Sequence, residues 1–326
     1  MDGARTFAAL LLTLAALAAL AAVWAWVREP YRLLRLVFAL LRLALGLRRR
    51  QVQVAGHRWV YAERRARDPA APTLVLLHGF TGSKENWYLL ARALGRRCHL
   101  LIPDLPGWGE SERKPGAAYG FVEQAERVAA FIAACSPLRP VVLVGHSMGG
   151  GIAALVAARH PQRVARVALL SAAGVRFADN AFGLAVLAGE NPFAVHDAAS
   201  LRRYLHTVFF DPRAMPWLPW PLSAALIARR RADAAFEQAV LDQIGRGPDS
   251  LRPGEEAVRI RQPALLVWGR QDAVIDPSAL ALYAARIPHA RQRLLDGCGH
   301  MTPVERAREV AQALVAWIED TPAASG

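Results

Sequence analysis

Short apolar segments alternate with longer stretches of helical character from residue 73 onwards, apart from one long interruption. The apolar segments predict buried strands at residues 73–77, 99–103, 141–144, 166–170, 264–268 and 291–295. The helical stretches are residues 87–94, 121–134, 148–160 and 302–318. This alternation predicts an α/β fold with a mostly parallel sheet covered by helices on both faces. Residues 52–62 predict an antiparallel hairpin at one sheet edge.

The first part of the chain contains a long uncharged run, residues 7–27. As a helix, these 21 residues span about 32 Å, which matches the hydrocarbon core of a bilayer. Trp24 and Trp26 fall at the end of the run, where indole rings favour the membrane interface. Residues 1–28 are therefore predicted to be a transmembrane anchor. A cleaved signal peptide is the alternative, because Arg5 precedes the run and small residues compatible with cleavage lie within it.

Arginines follow this run and dominate the formal charge of +13. Residues 29–51 are rich in leucine, and Arg35, Arg42 and Arg49 recur every seven residues, which predicts a basic amphipathic juxtamembrane helix. The alternative is a solvated arginine face whose leucines pack on the rest of the protein. The positive-inside rule places the main domain in the cytoplasm, with export after signal-peptide cleavage as the alternative. Anionic lipid is the expected partner rather than nucleic acid.

A candidate nucleophile lies where the strand 141–144 passes into the helix 148–160. Gly145, Ser147 and Gly149 form a G-x-S-x-G pattern there. In a nucleophile elbow, the serine occupies a strained strand-to-helix turn, and its neighbours must be small because the backbone folds past itself. The pattern is also compatible with an ordinary glycine-rich turn, so its partners decide the interpretation.

A serine hydroxyl becomes an effective nucleophile when a histidine takes its proton and a carboxylate orients that histidine. Asp272 follows one predicted strand, and His300 lies in a glycine-containing loop after the next. Both fall beyond the C-terminal ends of strands, where ligands bind in open α/β sheets. Asp276 competes with Asp272, but the dipeptide Asp276-Pro277 is typical of a helix N-cap followed by proline. The pattern therefore favours Asp272.

Negative charge that develops on a reacting carbonyl oxygen requires hydrogen-bond donors. The strand 73–77 ends in a glycine-containing turn, and such a loop can direct a backbone N–H at the reacting group. Phe80 in this turn and Met148 after the serine are the predicted oxyanion-hole residues. His78, beside this turn, is expected to hold it by hydrogen bonding, and His146 is expected to be buried against neighbouring strands.

Five motifs occur in order along the chain: His78-Gly-Phe80, Asp104-Leu-Pro-Gly-Trp-Gly-Glu-Ser111, Gly145-His-Ser-Met-Gly149, Trp268-Gly-Arg-Gln-Asp272 and Gly297-Cys-Gly-His300. Together they resemble the α/β-hydrolase family over residues 52–320. The resemblance implies the α/β-hydrolase fold for this domain, with Ser147, Asp272 and His300 as the catalytic residues. The anchor and the segments 81–87 and 271–276 further resemble membrane-anchored monoacylglycerol lipases and related bacterial lipases.

Residues 175–261 interrupt the alternation of strands and helices, and they are rich in aromatic residues and proline. We expect a helical cap over the serine, with a bent, proline-containing stretch that lines an acyl channel. Most of the aromatic residues are expected to form the core of the cap, and a minority to reach the pocket. The pocket candidates are Phe182, Phe209, Phe210, Met215, Trp217 and Trp220.

The three cysteines, Cys98, Cys135 and Cys298, form neither an even disulfide framework nor a C-x-x-C pattern, so we expect no metal site and no cofactor. Residues 321–326 are predicted to be a flexible tail. The expected function is membrane-associated serine hydrolysis of carboxylic esters, such as monoacylglycerols. A small-ester carboxylesterase and a carbon–carbon bond hydrolase are alternatives on the same fold, and a non-catalytic membrane-bound binding protein is an alternative of another class.

Overall fold

The computed structural model describes residues 2–28 and 30–320, and an eight-stranded sheet lies at its centre. The strands are β1 (Arg48–Val54), β2 (His57–Arg64), β3 (Thr73–Leu77), β4 (His99–Pro103), β5 (Val141–His146), β6 (Val164–Leu170), β7 (Ala264–Gly269) and β8 (Arg291–Leu295). They lie in the order β1-β2-β4-β3-β5-β6-β7-β8. The pairs β1–β2 and β2–β4 are antiparallel, and all other neighbours are parallel. The predicted mostly parallel sheet is confirmed, with an edge hairpin formed by β1 and β2.

The described residues form twelve α-helices. They are α1 (Asp2–Arg28), α2 (Pro30–Ala44), α3 (Tyr88–Leu94), α4 (Phe121–Cys135), α5 (Met148–Arg159), α6 (Ala181–Leu187), α7 (Ala198–Val208), α8 (Leu222–Gly245), α9 (Arg252–Glu256), α10 (Ser278–Arg286), α11 (Thr302–Glu305) and α12 (Ala307–Asp320). Helix α4 packs with α5, and α3 packs with α12. These two pairs belong to separate hydrophobic clusters, one on each face of the sheet.

Strand β3 shows why both faces need a helical layer. Val75 and Leu77 belong to the cluster that contains α4 and α5, whereas Leu74 and Leu76 belong to the cluster that contains α3 and α12. Successive side chains of a strand point to opposite faces, so a strand that is apolar throughout must be covered twice. Burial of each leucine side chain contributes about 1.5–3 kcal/mol.

The prediction of a helix across residues 29–51 was wrong beyond residue 44. Helix α2 ends at Ala44, and Gly46 then adopts a left-handed φ of +66°. The Gly46 N–H donates to the Leu43 carbonyl, and the next N–H donates to the Arg42 carbonyl, which closes the helix end. Arg49 consequently lies in β1 and donates to the Glu110 carboxylate at 3.2 Å, so it does not share a helical face with the earlier arginines.

Helix α1 is long and apolar enough to cross a membrane by length and composition, and none of its hydrophobic window is buried. Helix α2 packs against α1 and against α8. The ring of Tyr31 in α2 lies 5.6 Å from the guanidinium carbon of Arg229 in α8. Helix α2 therefore contacts the insertion between β6 and β7. The predicted tail at residues 321–326 lies outside the described residues.

The insertion between β6 and β7 contains α6, α7, α8 and α9. Helices α6 and α7 both pack on α8, which makes these three helices one unit. Helix α9 instead packs on α5 of the main domain. Within residues 175–261, only the part up to α8 is therefore arranged as a helical cap.

Candidate active site

The turn from β5 into α5 places Ser147 in a strained backbone conformation. Ser147 has a φ of +56°, which non-glycine residues rarely adopt. A Cβ atom at position 145 would lie 2.1 Å from the Gly149 carbonyl oxygen, and one at position 149 would lie 2.3 Å from the Leu77 carbonyl oxygen. Glycine is thus required at both positions, because β5, α5 and β3 approach one another through their backbones. The structure has the form of a nucleophile elbow.

Asp272 and His300 follow β7 and β8, respectively, and they form a buried pair. The Nδ1 atom of His300 lies 2.9 Å from Oδ2 and 3.1 Å from Oδ1 of Asp272. The Oδ1 atom also accepts the backbone N–H groups of Val274 and Ile275, each at 2.9 Å. A carboxylate held in this way fixes the ring orientation of the histidine and the tautomer with its proton on Nδ1, which leaves Nε2 as the free base.

His146 connects the histidine loop to the elbow. Its Nε2–H donates to the His300 carbonyl oxygen at 2.8 Å, and the two ring centres are 4.8 Å apart. Ser147 is the next residue along the chain and is buried at the cavity wall. The structure therefore places the Asp272–His300 pair against the residue that precedes Ser147, at the C-terminal edge of the sheet.

The competing carboxylate, Asp276, has a different environment. Its Oδ1 accepts the N–H of Ser278, the first residue of α10, at 2.9 Å. Asp276 thus accepts the first N–H of α10 from one position before the N-cap residue, Pro277, whereas Asp272 contacts His300.

Phe80 and Met148 line the same cavity as Ser147, and both are buried. Among the residues that the structure describes, the N–H groups of Phe80 and Met148 donate to no turn or loop carbonyl. Two amides near a nucleophile can stabilise an oxyanion if they face the reacting oxygen. The loop of Phe80 is held by His78, whose Nδ1–H donates to the Gly79 carbonyl at 2.8 Å and whose Nε2 accepts the Leu105 N–H at 3.0 Å.

An ion cluster around the buried Lys84 lies next to this loop in sequence. The sequence patterns did not predict it. The Nζ atom of Lys84 lies 2.8 Å from Asp104, 2.9 Å from Glu85 and 2.8 Å from Glu110. The Lys84 N–H also donates to Asp104 at 2.7 Å. The cluster connects the segment after β3 to the segment after β4. Asp104 lies 20 positions from Lys84, so the segment 81–87 and the motif around Asp104 gave no sign that they pair with each other.

The cavity above Ser147 has a volume of about 240 Å³ and is largely apolar. Among the predicted pocket residues, Phe182 lines it. The cavity wall includes further apolar residues that the sequence reasoning did not single out for the pocket, namely Phe177, Val186, Phe193, Leu241, Val274 and Ile275. Such a wall suits an acyl chain, since substrate pockets for apolar groups have few polar atoms.

The other five pocket candidates do not line this cavity. Phe209 is buried in the core, and Met215 is half-buried against it. Phe210, Trp217 and Trp220 are exposed, with 85% of Trp217 accessible to solvent. The prediction was wrong for these residues because the proline-rich stretch runs along the surface of the cap rather than into it.

Glu305 is a second buried group that the sequence did not reveal. One oxygen accepts the N–H groups of Phe210 and Asp211 at 2.9 and 2.8 Å. The other accepts the N–H groups of Gly299 and Met301 at 3.1 and 3.2 Å. One carboxylate therefore joins the end of the cap helix α7 to the loop that contains His300.

His78 and His146 are both fully enclosed, and burial is the main cause of their altered acidity. Burial lowers the pKa of His78 to about 4 and the pKa of His146 to about 3, the latter helped by the neighbouring His300. Both rings are consequently neutral at physiological pH, which is consistent with structural roles beside the site.

Residues 72–307 match the alpha/beta hydrolase fold family, and the chain belongs to that family. It is 26% identical to the monoacylglycerol lipase ABHD6 of Rattus norvegicus over 91% of this chain and 89% of that protein. It is 30% identical to Lipase 1 of Psychrobacter immobilis over 79% of each chain. A crystal structure of a membrane phospholipase A described as a bacterial virulence factor has a TM-score of 0.81 and 37% identity, covering 95% of this chain and 97% of that chain. The protein is an ester hydrolase of the lipase and esterase type.

Among residues 2–28 and 30–320, no group of three or more histidine, cysteine or acidic side chains is arranged to hold a metal ion. Cys298 is fully buried two residues before His300, as is typical of a cysteine that packs as a small apolar residue.

We predict that Glu305→Gln lowers kcat for ester hydrolysis roughly a hundredfold, because the amide NH2 group faces two N–H donors and displaces the His300 loop. The free energy of unfolding should fall by about 1–3 kcal/mol. Steady-state kinetics and chemical unfolding check both values. Glu309→Gln, at a more exposed carboxylate one turn further along, is the matched control. Unchanged kcat in Glu305→Gln would show that the hydrogen bonds of Glu305 do not position His300.

We also predict that the free energy of unfolding begins to fall at a pH above the range in which carboxylates titrate. In the unfolded chain, His78 and His146 protonate near pH 6.5, whereas in the folded protein they stay neutral down to about pH 4 and about pH 3. The unfolded state binds more protons below pH 6.5, so stability falls as the pH decreases from 6.5. Each histidine contributes a slope of up to about 1.4 kcal/mol per pH unit. Unfolding measured from pH 7.5 to 5 tests this, and an equal slope in His78→Asn would contradict it.

Proposed function

We propose that this protein is a membrane-attached serine hydrolase that cleaves the ester bond of a single-chain lipid such as a monoacylglycerol. The main support is the buried Asp272–His300 pair, which contacts the residue before Ser147, while Ser147 itself lines an apolar cavity. These three side chains have the functional groups that acyl transfer requires.

In the first half of the proposed reaction, Ser147 Oγ attacks the ester carbonyl carbon while His300 Nε2 takes the hydroxyl proton. Asp272 stabilises the resulting imidazolium through its bond to Nδ1. The carbonyl oxygen becomes an oxyanion, which the N–H groups of Phe80 and Met148 stabilise. Collapse of this intermediate breaks the bond to the alcohol, and His300 donates its proton to the leaving glycerol oxygen.

In the second half, His300 removes a proton from water, and the hydroxide attacks the acyl-Ser147 carbonyl carbon. The second tetrahedral intermediate collapses to the fatty acid, and His300 returns a proton to Ser147 Oγ. No net proton, electron or cofactor is consumed besides the water. The same two amides stabilise both intermediates, so both half-reactions depend on them.

The lipid assignment rests on the cavity and the N-terminus together. The cavity wall is formed mainly by phenylalanine, leucine, isoleucine and valine side chains, which suit an acyl chain. Helix α1 is long enough to hold the domain at a bilayer, where such substrates reside. We propose that the catalytic domain lies on the cytoplasmic side, because arginines follow α1 closely. Export after signal-peptide cleavage is the alternative.

A phosphate-containing lipid is the second candidate substrate. Arg176 and Arg246 line the cavity among apolar residues, and each also pairs with an aspartate, Asp179 or Asp242. Guanidinium groups at the rim of an apolar cavity suit a phosphodiester head group. The similarity to a membrane phospholipase A agrees with this possibility. A small-ester carboxylesterase or a carbon–carbon bond hydrolase would use the same nucleophile, so substrate profiling must separate them.

We predict that the full-length protein in detergent hydrolyses long-chain esters at least tenfold faster than acetate or butyrate esters, because the apolar cavity binds the chain. The measurement is a chain-length series of monoacylglycerols, lysophospholipids and p-nitrophenyl esters. Ser147→Ala should lose at least a thousandfold in kcat.

The series separates the alternatives directly. Turnover restricted to short esters would refute the lipase assignment and leave an esterase. Faster turnover of lysophospholipids than of monoacylglycerols, lost in Arg246→Gln, would favour the phosphate-containing substrate. Activity on a vinylogous diketone without ester hydrolysis would identify a carbon–carbon bond hydrolase. Full activity in Ser147→Ala would remove Ser147 as the nucleophile.

A further inference from the structure

The segment between α7 and α8, residues 209–221, exposes large aromatic side chains. Trp217 is 85% exposed, Trp220 is 69% exposed, and Phe210 is 52% exposed. A single exposed apolar residue is ordinary on a protein surface, but several large ones within twelve positions form a patch that requires an explanation. We call this segment the α7–α8 loop.

The structure holds the α7–α8 loop in place at its start. Glu305 accepts the N–H groups of Phe210 and Asp211, and the Asp211 carboxylate pairs with Arg306 at 2.9 Å. Pro212, Pro216, Pro219 and Pro221 limit the backbone conformations of the remainder. The indole rings are therefore held outward by a restrained backbone, so they can enter an apolar phase with little ordering of the chain.

The position of the α7–α8 loop relates it to the membrane segment. The loop ends where α8 begins, and Arg229 in α8 contacts Tyr31, three residues after the end of α1. At about 1.5 Å per residue, Arg229 lies roughly 11 Å along α8 from its first residue. The end of the loop is therefore about two helical turns of α8 away from the contact with Tyr31.

Helix α2 adds a second apolar surface in the same region. Its exposed side chains include Leu36, Val37, Leu40, Leu41 and Leu43, although α2 packs on α8 with another part of its surface. Arg213 in the α7–α8 loop is exposed and pairs with Asp211, a carboxylate that Arg306 also contacts. Indole rings beside arginines and leucines are typical of surfaces that lie in the interfacial layer of an anionic bilayer.

We propose that the α7–α8 loop inserts Trp217 and Trp220 into the bilayer interface and docks the cap on the membrane that holds α1. This inference rests on the proposed membrane attachment. The Val208 carbonyl accepts the Met301 N–H, and Glu305 accepts the Phe210 N–H at the start of the α7–α8 loop. Docking of this loop therefore places the membrane surface beside the loop that contains His300. The lipid substrate then has a short path from the bilayer to the cavity.

Lipid contact can be measured without any turnover. Full-length protein with Trp217→Cys in a Cys135→Ser background is labelled with a nitrobenzoxadiazole fluorophore and reconstituted into vesicles of phosphatidylcholine and phosphatidylglycerol. Cys98 and Cys298 are buried, so the new cysteine takes the label. We expect a blue-shifted emission that lipids with a spin label near the head group quench at least twofold. Leu138→Cys is the control. Leu138 is 92% exposed and precedes β5, so it lies at the N-terminal ends of the parallel strands, opposite the end that carries the site.

Three outcomes would overturn the proposal. Equal and weak quenching at positions 217 and 138 would place the loop in water. A blue shift at position 217 without lipid quenching would indicate contact with protein, such as a second copy of this chain. Quenching that persists equally in Trp220→Ser, which removes the neighbouring indole, would show that the indoles do not hold the loop at the interface.

The functional consequence has a separate readout. Trp217→Ser with Trp220→Ser should lower hydrolysis of a long-chain ester in vesicles roughly tenfold at limiting lipid, with unchanged hydrolysis of a soluble short ester. Leu138→Ser should change neither rate. Equal loss on both substrates would indicate damage to the fold and contradict a docking role. If the wild-type protein hydrolyses no ester, the proposed function fails, whereas the quenching result still decides the docking.

Discussion

The backbone contact between β3, β5 and α5 is the constraint on which the site depends. Gly145 and Gly149 allow carbonyl groups to approach where any side chain would overlap them, and Ser147 is thereby held in a left-handed conformation. That conformation raises the serine above the sheet and starts α5 directly after it, so Met148 lines the same cavity. Phe80 reaches the same cavity because β3 is the neighbour of β5. The proposed nucleophile and both proposed oxyanion donors therefore result from one close approach.

The sequence predicted those strands whose ends are set by the residues directly beside them. Residues 73–77 and 99–103 are strands with the predicted bounds, since each is a short, mostly apolar run followed by a polar residue. Residues 291–295 also form a strand with the predicted bounds, although its first three residues are polar and exposed. The predicted helix 302–318 is divided at Arg306, whose side chain donates to Asp211 and to Gly297. Glu305 escaped notice because its cap partners lie 95 and 94 positions away. The pocket aromatics were misassigned because composition does not show which way a proline-rich segment turns.

The cap connects helix α2 to the cavity through a short series of contacts. Tyr31 in α2 lies against Arg229, and the next residue, Arg230, is buried and donates to the Phe193 carbonyl at 2.8 Å. The Phe193 ring lies 5.2 Å from that of Phe80, and both line the cavity. Glu237 pairs with Arg230 at 2.9 Å, which compensates the buried charge. The cavity wall is thus connected through α8 to α2, in addition to its contacts with the sheet.

The most direct test of the proposed mechanism is covalent labelling of the folded, full-length protein with a fluorophosphonate, followed by peptide mass mapping. A serine activated by His300 should form one phosphonyl adduct on the peptide that contains Ser147. Labelling should be absent in Ser147→Ala and roughly a hundredfold or more slower in Asp272→Asn, because the histidine loses its orienting carboxylate. An unlabelled protein, or an adduct at another residue, would contradict the assignment of Ser147 as the nucleophile.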